Sequence, residues 1–240
     1  MGLNTTVFLI RHGVTSWHPE RRVLGQRDIG LSEAGIAQAR ASADLLAGIP
    51  LADLISSPLV RAVQSAKIIG KPHGIDVARD PRLIDMDVGQ WAGMTYQDVS
   101  SSPAYQQFVA DPMSTTIPGG ENFEEVRIRA VSALDQALAD SPSGSTIAIV
   151  SHAGVIRILL AHYLGSPPAN YHRIRVSPGS ASVLSFADDR HLPRILAVNC
   201  LAGLSQVVSP VGDLGHDKPS PKDVKMDERM ATQPGGDSHR

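Results

Sequence analysis

Two histidines and three arginines occupy positions where β-strands would hand them to a ligand. "VFLIRHG" runs an apolar strand into Arg11 and His12, "LISSPLVRAVQSA" runs another into Ser57 and Arg61, and "IAIVSHAGVIR" ends a third at His152, with Arg157 following. Gly13 and the pair Ala153 and Gly154 come directly after the histidines, and such small neighbours let a ligand approach ring and backbone closely. Arginine forks match phosphate oxygens bidentately and stay charged at any ordinary pH. A neutral imidazole nitrogen is a competent nucleophile toward phosphorus, which would split a hydrolysis into phosphoryl transfer to histidine and attack by water. A second histidine, once protonated, could bind the equatorial oxygens as charge redistributes. An alkoxide leaving group would still need a proton from a carboxylic acid of raised pKa. No metal or other cofactor is expected, because a metal site would want carboxylate neighbours where this pattern supplies arginine.

Ligands of a parallel α/β sheet sit outside the carboxyl ends of its strands. Val- and Ile-rich runs predict strands at 5–10, 52–56, 75–79, 145–151, 181–187 and 194–199, separated by segments of helical period. One helix follows Ser32 as N-cap, with Ile36, Ala39, Ala43 and Leu46 along one face. A second starts from Ser57 as N-cap and Pro58 as first residue. A third spans "ENFEEVRIRAVSALDQALAD" with an apolar stripe of Phe123, Val126, Ala130, Leu134 and Leu138, and "GVIRILLAHYLG" is a fourth, stopped by Gly165, Pro167 and Pro168. Between these, residues 86–120 break into short pieces too long for a plain connection and predict a small cap. Residues 209–240, dense in Pro, Gly, Asp and Lys, predict a disordered tail behind a domain of residues 1–208.

With 240 residues, 42% hydrophobic and 19% charged, the chain can bury one sizeable core. Its formal charge of −2 gives no reason to expect nucleic acid. A single cysteine, Cys200, excludes an internal disulfide or thiolate cluster and fits a cytoplasmic setting. The N-terminal apolar run is too short for a signal or a membrane span, so no membrane is expected. "MGLNTT" satisfies the Gly2 and Thr6 positions of a myristoylation pattern, yet no polybasic second signal follows. A small-molecule partner is expected, and the edge strand near 194–199 could pair two chains as a homodimer.

The ordered set "LIRHGVTSW", "GQRDIGLSEAGIAQA", "SSPLVRAVQSA", "LIDMDVGQWAGMT", "PGGENFEEV" and "VSHAGVIRILL" closely resembles the histidine phosphatase superfamily, the phosphoglycerate mutase-like proteins, over about residues 6 to 200. The resemblance implies a three-layer α/β/α sandwich around a mostly parallel sheet of about six strands, with a small cap insertion. It implies that His12 becomes phosphohistidine and that Arg11, Arg61 and His152 hold the phosphoryl group. Thr15, Gly25 and Gln26 match positions lining that pocket, and His18 stands where many relatives have Asn, expected to touch the substrate or the pocket mouth. Asp85 falls where the family usually places the glutamate that protonates the leaving group. Aspartate is one methylene shorter, so three assignments stay open: Asp85 as the acid, Asp87 or Glu121 in its stead, or a preference for leaving groups that need little help. Arg157 reads as a substrate contact or a surface ion pair, and Glu121 as a substrate contact or a first-turn helix charge.

Cofactor-dependent mutases of the family follow RHG with Glu and Ser and carry extra basic residues in a longer cap. This chain has "RHGVTSW" and no Arg or Lys between Asp85 and Pro118. Hydrolysis of a small phosphorylated metabolite is therefore expected over mutase action, with a weakly active phosphate-ligand or phosphoprotein binder as the remaining alternative. The Ser, Gln, Tyr, Phe and Met of the cap suit a neutral or mildly apolar substituent better than a second anion.

Overall fold

The computed structural model of the chain describes residues 4–187 and 192–201. The Gly2 pattern and the expected tail at 209–240 lie outside the described residues.

β1 (Thr5–Arg11) carries Val7, Phe8, Leu9 and Ile10, all fully buried, so both faces of this strand need cover. Each such side chain contributes about 1.5–3 kcal/mol relative to exposure. Val7 and Leu9 pack with α5 (Phe123–Asp140) and α6 (Ala153–Tyr163), whereas Phe8 and Ile10 pack with α1 (Glu33–Leu46) and α2 (Val60–Gly70). Alternation along one strand thereby defines three layers.

The other strands are β2 (Asp53–Ser56), β3 (Ala78–Arg79), β4 (Thr146–Ser151), β5 (Ala181–Phe186) and β6 (Arg194–Cys200), in the order β3-β2-β4-β1-β5-β6. β3, β2, β4 and β1 run parallel to their neighbours; β5 and β6 are antiparallel additions. In this register Arg11 pairs with Ser151, and Ser56 with Val150, so β1, β4 and β2 end almost level. His12, His152 and Ser57 are therefore the first residues past three adjacent strand ends.

The helices begin and end for local reasons. Ser32 caps α1 by accepting from the Gly35 N–H, and Asn122 and Glu125 form a reciprocal capping box on α5. The expected α5 stripe of Phe123, Val126, Ala130, Leu134 and Leu138 is buried throughout. After α6, Gly165 takes a φ of 61°, which ends the helix.

Two local expectations need correction. The strand expected at 75–79 shrinks to Ala78–Arg79, because β2 offers only Ile55 and Ser56 as partners, and Ile75 and Val77 pack against the core without pairing. Ser57 is not the cap of α2, which starts after Leu59 without a side-chain cap. The Ser57 N–H donates to the Val150 carbonyl at 2.9 Å, and its hydroxyl is taken by His152.

Residues 86–120 fold into a 3-10 turn at Gly89–Trp91, then α3 (Tyr96–Ser100) and α4 (Pro103–Ala110), gathered on Trp91, Val99, Phe108 and Ile117. Among the described residues no helix is long and apolar enough to cross a membrane.

Candidate active site

The site is built from the level ends of β1, β4 and β2. His12 is 2% exposed, and its Nδ1 lies 2.6 Å from the Gly13 carbonyl. A carbonyl only accepts, so Nδ1 carries the proton and the lone pair sits on Nε2. Burial, followed by the charges of Arg61 and Arg11, holds the His12 pKa well below the usual histidine range. The ring is thus neutral with one nucleophilic nitrogen.

That nitrogen accepts from Nε of Arg61 at 3.2 Å. Arg61 is fully buried, and its remaining donors reach the carbonyls of Arg27 at 2.7 Å and Gly25 at 2.6 Å and Oδ2 of Asp85 at 3.0 Å. Gly25 offers its carbonyl from a φ of 52°, where a Cβ would meet the Val88 side chain at 2.3 Å, which accounts for glycine there.

His152 is also fully buried, with its ring centroid 5.0 Å from that of His12. Nε2 lies 2.7 Å from the Ser57 hydroxyl, while Nδ1 has no hydrogen-bond partner and stands 3.5 Å from Oδ2 of Asp85. Burial and the Arg61 charge keep this histidine neutral as well, its pKa well below the usual range. Asp85 is pushed up by burial, against the pull of Arg61.

Arg11 donates from Nη1 to the Val176 carbonyl at 2.7 Å, and its buried Nε has no acceptor. Burial lowers its pKa to about 10, so it remains charged at neutral pH. His18 faces it. The Thr15 N–H donates to Nδ1 of His18 at 3.0 Å, which places the proton of the neutral ring on Nε2, and Nε2 lies 3.2 Å from Nη2 of Arg11. Two donors stand side by side, and the group that satisfies both is a shared oxyanion. A polar group left unpaired inside a fold costs about 1–3 kcal/mol; here Nε of Arg11 and Nδ1 of His152 are two of them, both beside His12.

A cavity of about 720 Å³ opens over these groups, walled by Trp91, Tyr96, Tyr105, Phe108, Tyr171 and Arg157. Among residues expected at substrate, His18, Gly25 and Arg157 line it. Thr15, Gln26 and Glu121 do not, and the structure gives them supporting places instead. Thr15 is fully buried and fixes the tautomer of His18. Gln26 donates to the backbone carbonyl of Asp85 at 3.1 Å. Glu121 is taken up by Arg129 at 2.8 Å and by the Asp87 N–H at 2.7 Å, so its carboxylate is saturated behind the site.

The profile of the histidine phosphatase superfamily, branch 1, matches residues 7–200 of this chain. The chain belongs to the histidine phosphatase superfamily. It is similar to a "probable phosphoglycerate mutase" of Cronobacter sakazakii, 32% identical over 209 residues that cover 86% of this chain and 97% of the relative. The solved mycobacterial glucosyl-3-phosphoglycerate phosphatase superposes with a TM-score of 0.74 at 27% identity, covering 82% of this chain and 99% of that one. The α-ribazole phosphatase of Shigella flexneri gives a TM-score of 0.72 at 25% identity, with 82% and 97% covered.

Asp85 stands at the position expected to hold the acid, and the structure shows what surrounds it. Nη1 of Arg129 donates to the carbonyls of Arg82 and Ile84, both at 2.7 Å, and Nη2 to the carbonyl of Asp85 at 3.2 Å and to the carboxylate Oε2 of Glu121 at 2.9 Å. The segment carrying Asp85 is thereby clamped from behind, and its shorter side chain still reaches within 3.0 Å of Arg61. Sequence reading passed over Arg129, although a signal existed: it falls three residues after Val126 and four before Ala133, on the buried stripe of α5. Ser57 was expected both past a strand end at the site and as the α2 cap; it holds the first place, against His152, and not the second. The phenols of Tyr96, Tyr105 and Tyr171 carry no sequence signature beyond their type.

Proposed function

We propose that the protein is a metal-independent phosphomonoester hydrolase that forms a phosphohistidine on Nε2 of His12. The observation that carries this is the His12 tautomer: Nδ1 is spent on the Gly13 carbonyl, which leaves the lone pair on Nε2, where it accepts from Arg61, beside the ring of His152. A phosphoryl oxygen takes over the Nε–H of Arg61, and Nε2 turns to phosphorus. The N–P bond forms as the bond to the leaving oxygen breaks, and protonated Asp85 delivers its proton to that oxygen. Water then attacks phosphorus, Asp85 takes its proton, the N–P bond breaks and phosphate departs. Guanidinium groups supply the positive charge that stabilises the transferring group in both steps. The dianion also raises the pKa of His152, whose unpaired Nδ1 then donates to it.

The substrate in this reading is a small phosphorylated metabolite. The test is turnover of 4-nitrophenyl phosphate over a pH series, wild type beside His12→Ala, with and without a chelator. His12-dependent release that the chelator leaves intact is expected; wild type no faster than the variant would overturn the reading, in favour of a phosphate-binding protein.

Mutase action is the second reading, favoured by the names of curated relatives such as the Cronobacter protein. It would show as isomerised phosphoglycerate in place of inorganic phosphate when that substrate is supplied.

A further inference from the structure

Ser57 is the first residue past β2, fully buried, and it does not line the cavity above His12. Its backbone is tied on both sides: the N–H donates to the Val150 carbonyl at 2.9 Å, and the carbonyl accepts from the Ser56 hydroxyl at 2.8 Å. The Ser57 hydroxyl lies 2.7 Å from Nε2 of His152, and the Leu59 N–H donates to the same oxygen at 3.4 Å. A hydroxyl has one proton to give and two lone pairs to receive. Among the described residues Nε2 of His152 is the one acceptor within reach of that proton, so the O–H donates to Nε2 and the lone pair of the neutral ring lies there. The ring proton is then on Nδ1.

The other side of the ring agrees independently. Nδ1 is buried without a hydrogen-bond partner and stands 3.5 Å from Oδ2 of Asp85. That oxygen accepts from Arg61 at 3.0 Å and so presents lone pairs, which an N–H on Nδ1 can face and a lone pair on Nδ1 cannot. Ser57, His152 and Asp85 thus share the connectivity of a Ser–His–Asp triad, but a nucleophile must meet substrate and Ser57 is sealed from the cavity. The use of Ser57 lies in what it does to His152.

The hydroxyl also serves the second state of the ring. In the reading above, His152 gains a proton when the phosphoryl dianion binds. Both nitrogens of a charged imidazole donate, so Nε2 acquires an N–H and needs an acceptor where Ser57 and His152 are both fully buried. Rotation of the Ser57 O–H turns the same oxygen from donor to acceptor without moving a heavy atom; the added proton comes from solvent and returns there when phosphate leaves. A backbone carbonyl in this place would serve only the charged ring, and a backbone N–H only the neutral one.

We propose that Ser57 is a positioning residue: its hydroxyl holds the His152 proton on Nδ1, the side of Asp85 and the phosphoryl site, and reverses from donor to acceptor as the ring charges and discharges in turnover. The inference deepens the phosphatase reading above, and its catalytic part rests on that reading.

Nitrogen-15 spectra of histidine-labelled protein, with the His152 signals assigned by their loss in His152→Asn, read the tautomer directly, because protonated and bare ring nitrogens resonate in separate ranges. At about pH 7.5, above the ordinary histidine range, the wild type should show Nδ1 protonated and Nε2 bare; the reverse would overturn the proposal. Vanadate, which takes the place of the phosphoryl group, should protonate both nitrogens, and a His152 ring that stays neutral with vanadate bound would overturn the reversal. In Ser57→Ala the two tautomers should mix and kcat/KM on 4-nitrophenyl phosphate should fall about 10-fold, whereas Ser57→Thr, which keeps the hydroxyl, should hold the wild-type tautomer and a rate within about threefold of wild type; a thermal melt of each variant reports folding. Wild-type tautomer and rate in Ser57→Ala would overturn the proposal, and so would an equal loss in folded Ser57→Thr, which would assign Ser57 to packing alone. Turnover no faster in wild type than in His12→Ala would instead overturn the phosphatase reading, while the spectrum, which needs no turnover, decides the tautomer by itself.

Discussion

Arg61 donates through Nε to Nε2 of His12 at 3.2 Å, so the proposed nucleophilic nitrogen and a buried guanidinium are in direct contact. The same guanidinium reaches Asp85 at 3.0 Å. His12, Arg61 and Asp85, proposed above as nucleophile, charge partner and acid, are therefore one hydrogen-bonded unit, and displacement of any of them is felt by the other two.

Asp85 is expected to matter in proportion to the basicity of the leaving oxygen. Asp85→Asn should cut kcat on an alkyl phosphate by about 10²–10⁴-fold and on 4-nitrophenyl phosphate far less. Because burial raises its pKa, activity on alkyl esters should decline as pH rises through that elevated value, while the aryl ester stays flat. Asp85→Glu, by lengthening the arm inside the Arg129 clamp, separates reach from chemistry: faster alkyl turnover would mark Asp85 as a compromised acid.

His18 acts as a neutral donor, because the Thr15 N–H occupies Nδ1 and burial beside Arg11 lowers its pKa to about 4. Asn can reproduce both roles, accepting through its carbonyl and donating through its amide. Inhibition by inorganic phosphate should survive His18→Asn and weaken about tenfold in His18→Ala, with no inflection from this residue above pH 5.

Arg129 holds the backbone around Asp85 and does not line the cavity. Arg129→Met should remove the contacts to the carbonyls of Arg82, Ile84 and Asp85, and cost about 1–3 kcal/mol in a denaturant melt. If the clamp acts through the acid, kcat on alkyl esters should fall more than on aryl esters with KM little changed. A purely structural role would lower both equally.

Stability should depend on pH through His12 and His152. Their folded pKa values lie well below the usual 6.5. Below that value the unfolded chain binds protons the folded one refuses, so the contribution is fully present above pH 6.5 and lost as pH falls, on the order of 1.4 kcal/mol per pH unit for each histidine. Urea melts between pH 7.5 and 5 should show this loss, and His152→Asn should flatten it.

Much of this was readable in advance for a physical reason. Arg11, His12 and His152 follow apolar runs directly, and a polar residue at a strand end has little to do in the core; Arg61 comes at the start of the helix that follows β2, and the structure brings all four together over the level ends of β1, β4 and β2. What escaped depends on contacts across the fold. The family resemblance put Thr15 and Gln26 at the pocket, and Glu121 stayed open between a substrate contact and a helix charge, but whether a side chain faces the ligand or the backbone behind it is set by tertiary packing. Ser57 satisfies every local rule for a cap and is claimed instead by a histidine 95 positions away. The strand at 75–79 failed because the partner strand was short, which no property of those five residues reveals.

The central claim is a covalent intermediate on Nε2 of His12, and trapping tests it most directly. Wild type mixed with a ³²P-labelled monoester and quenched in base within one turnover should retain label that is lost in acid, located on the peptide holding His12, with a ³¹P resonance of the Nε2-linked isomer. Steady turnover with no label on the protein, or label that persists in His12→Ala, would contradict it.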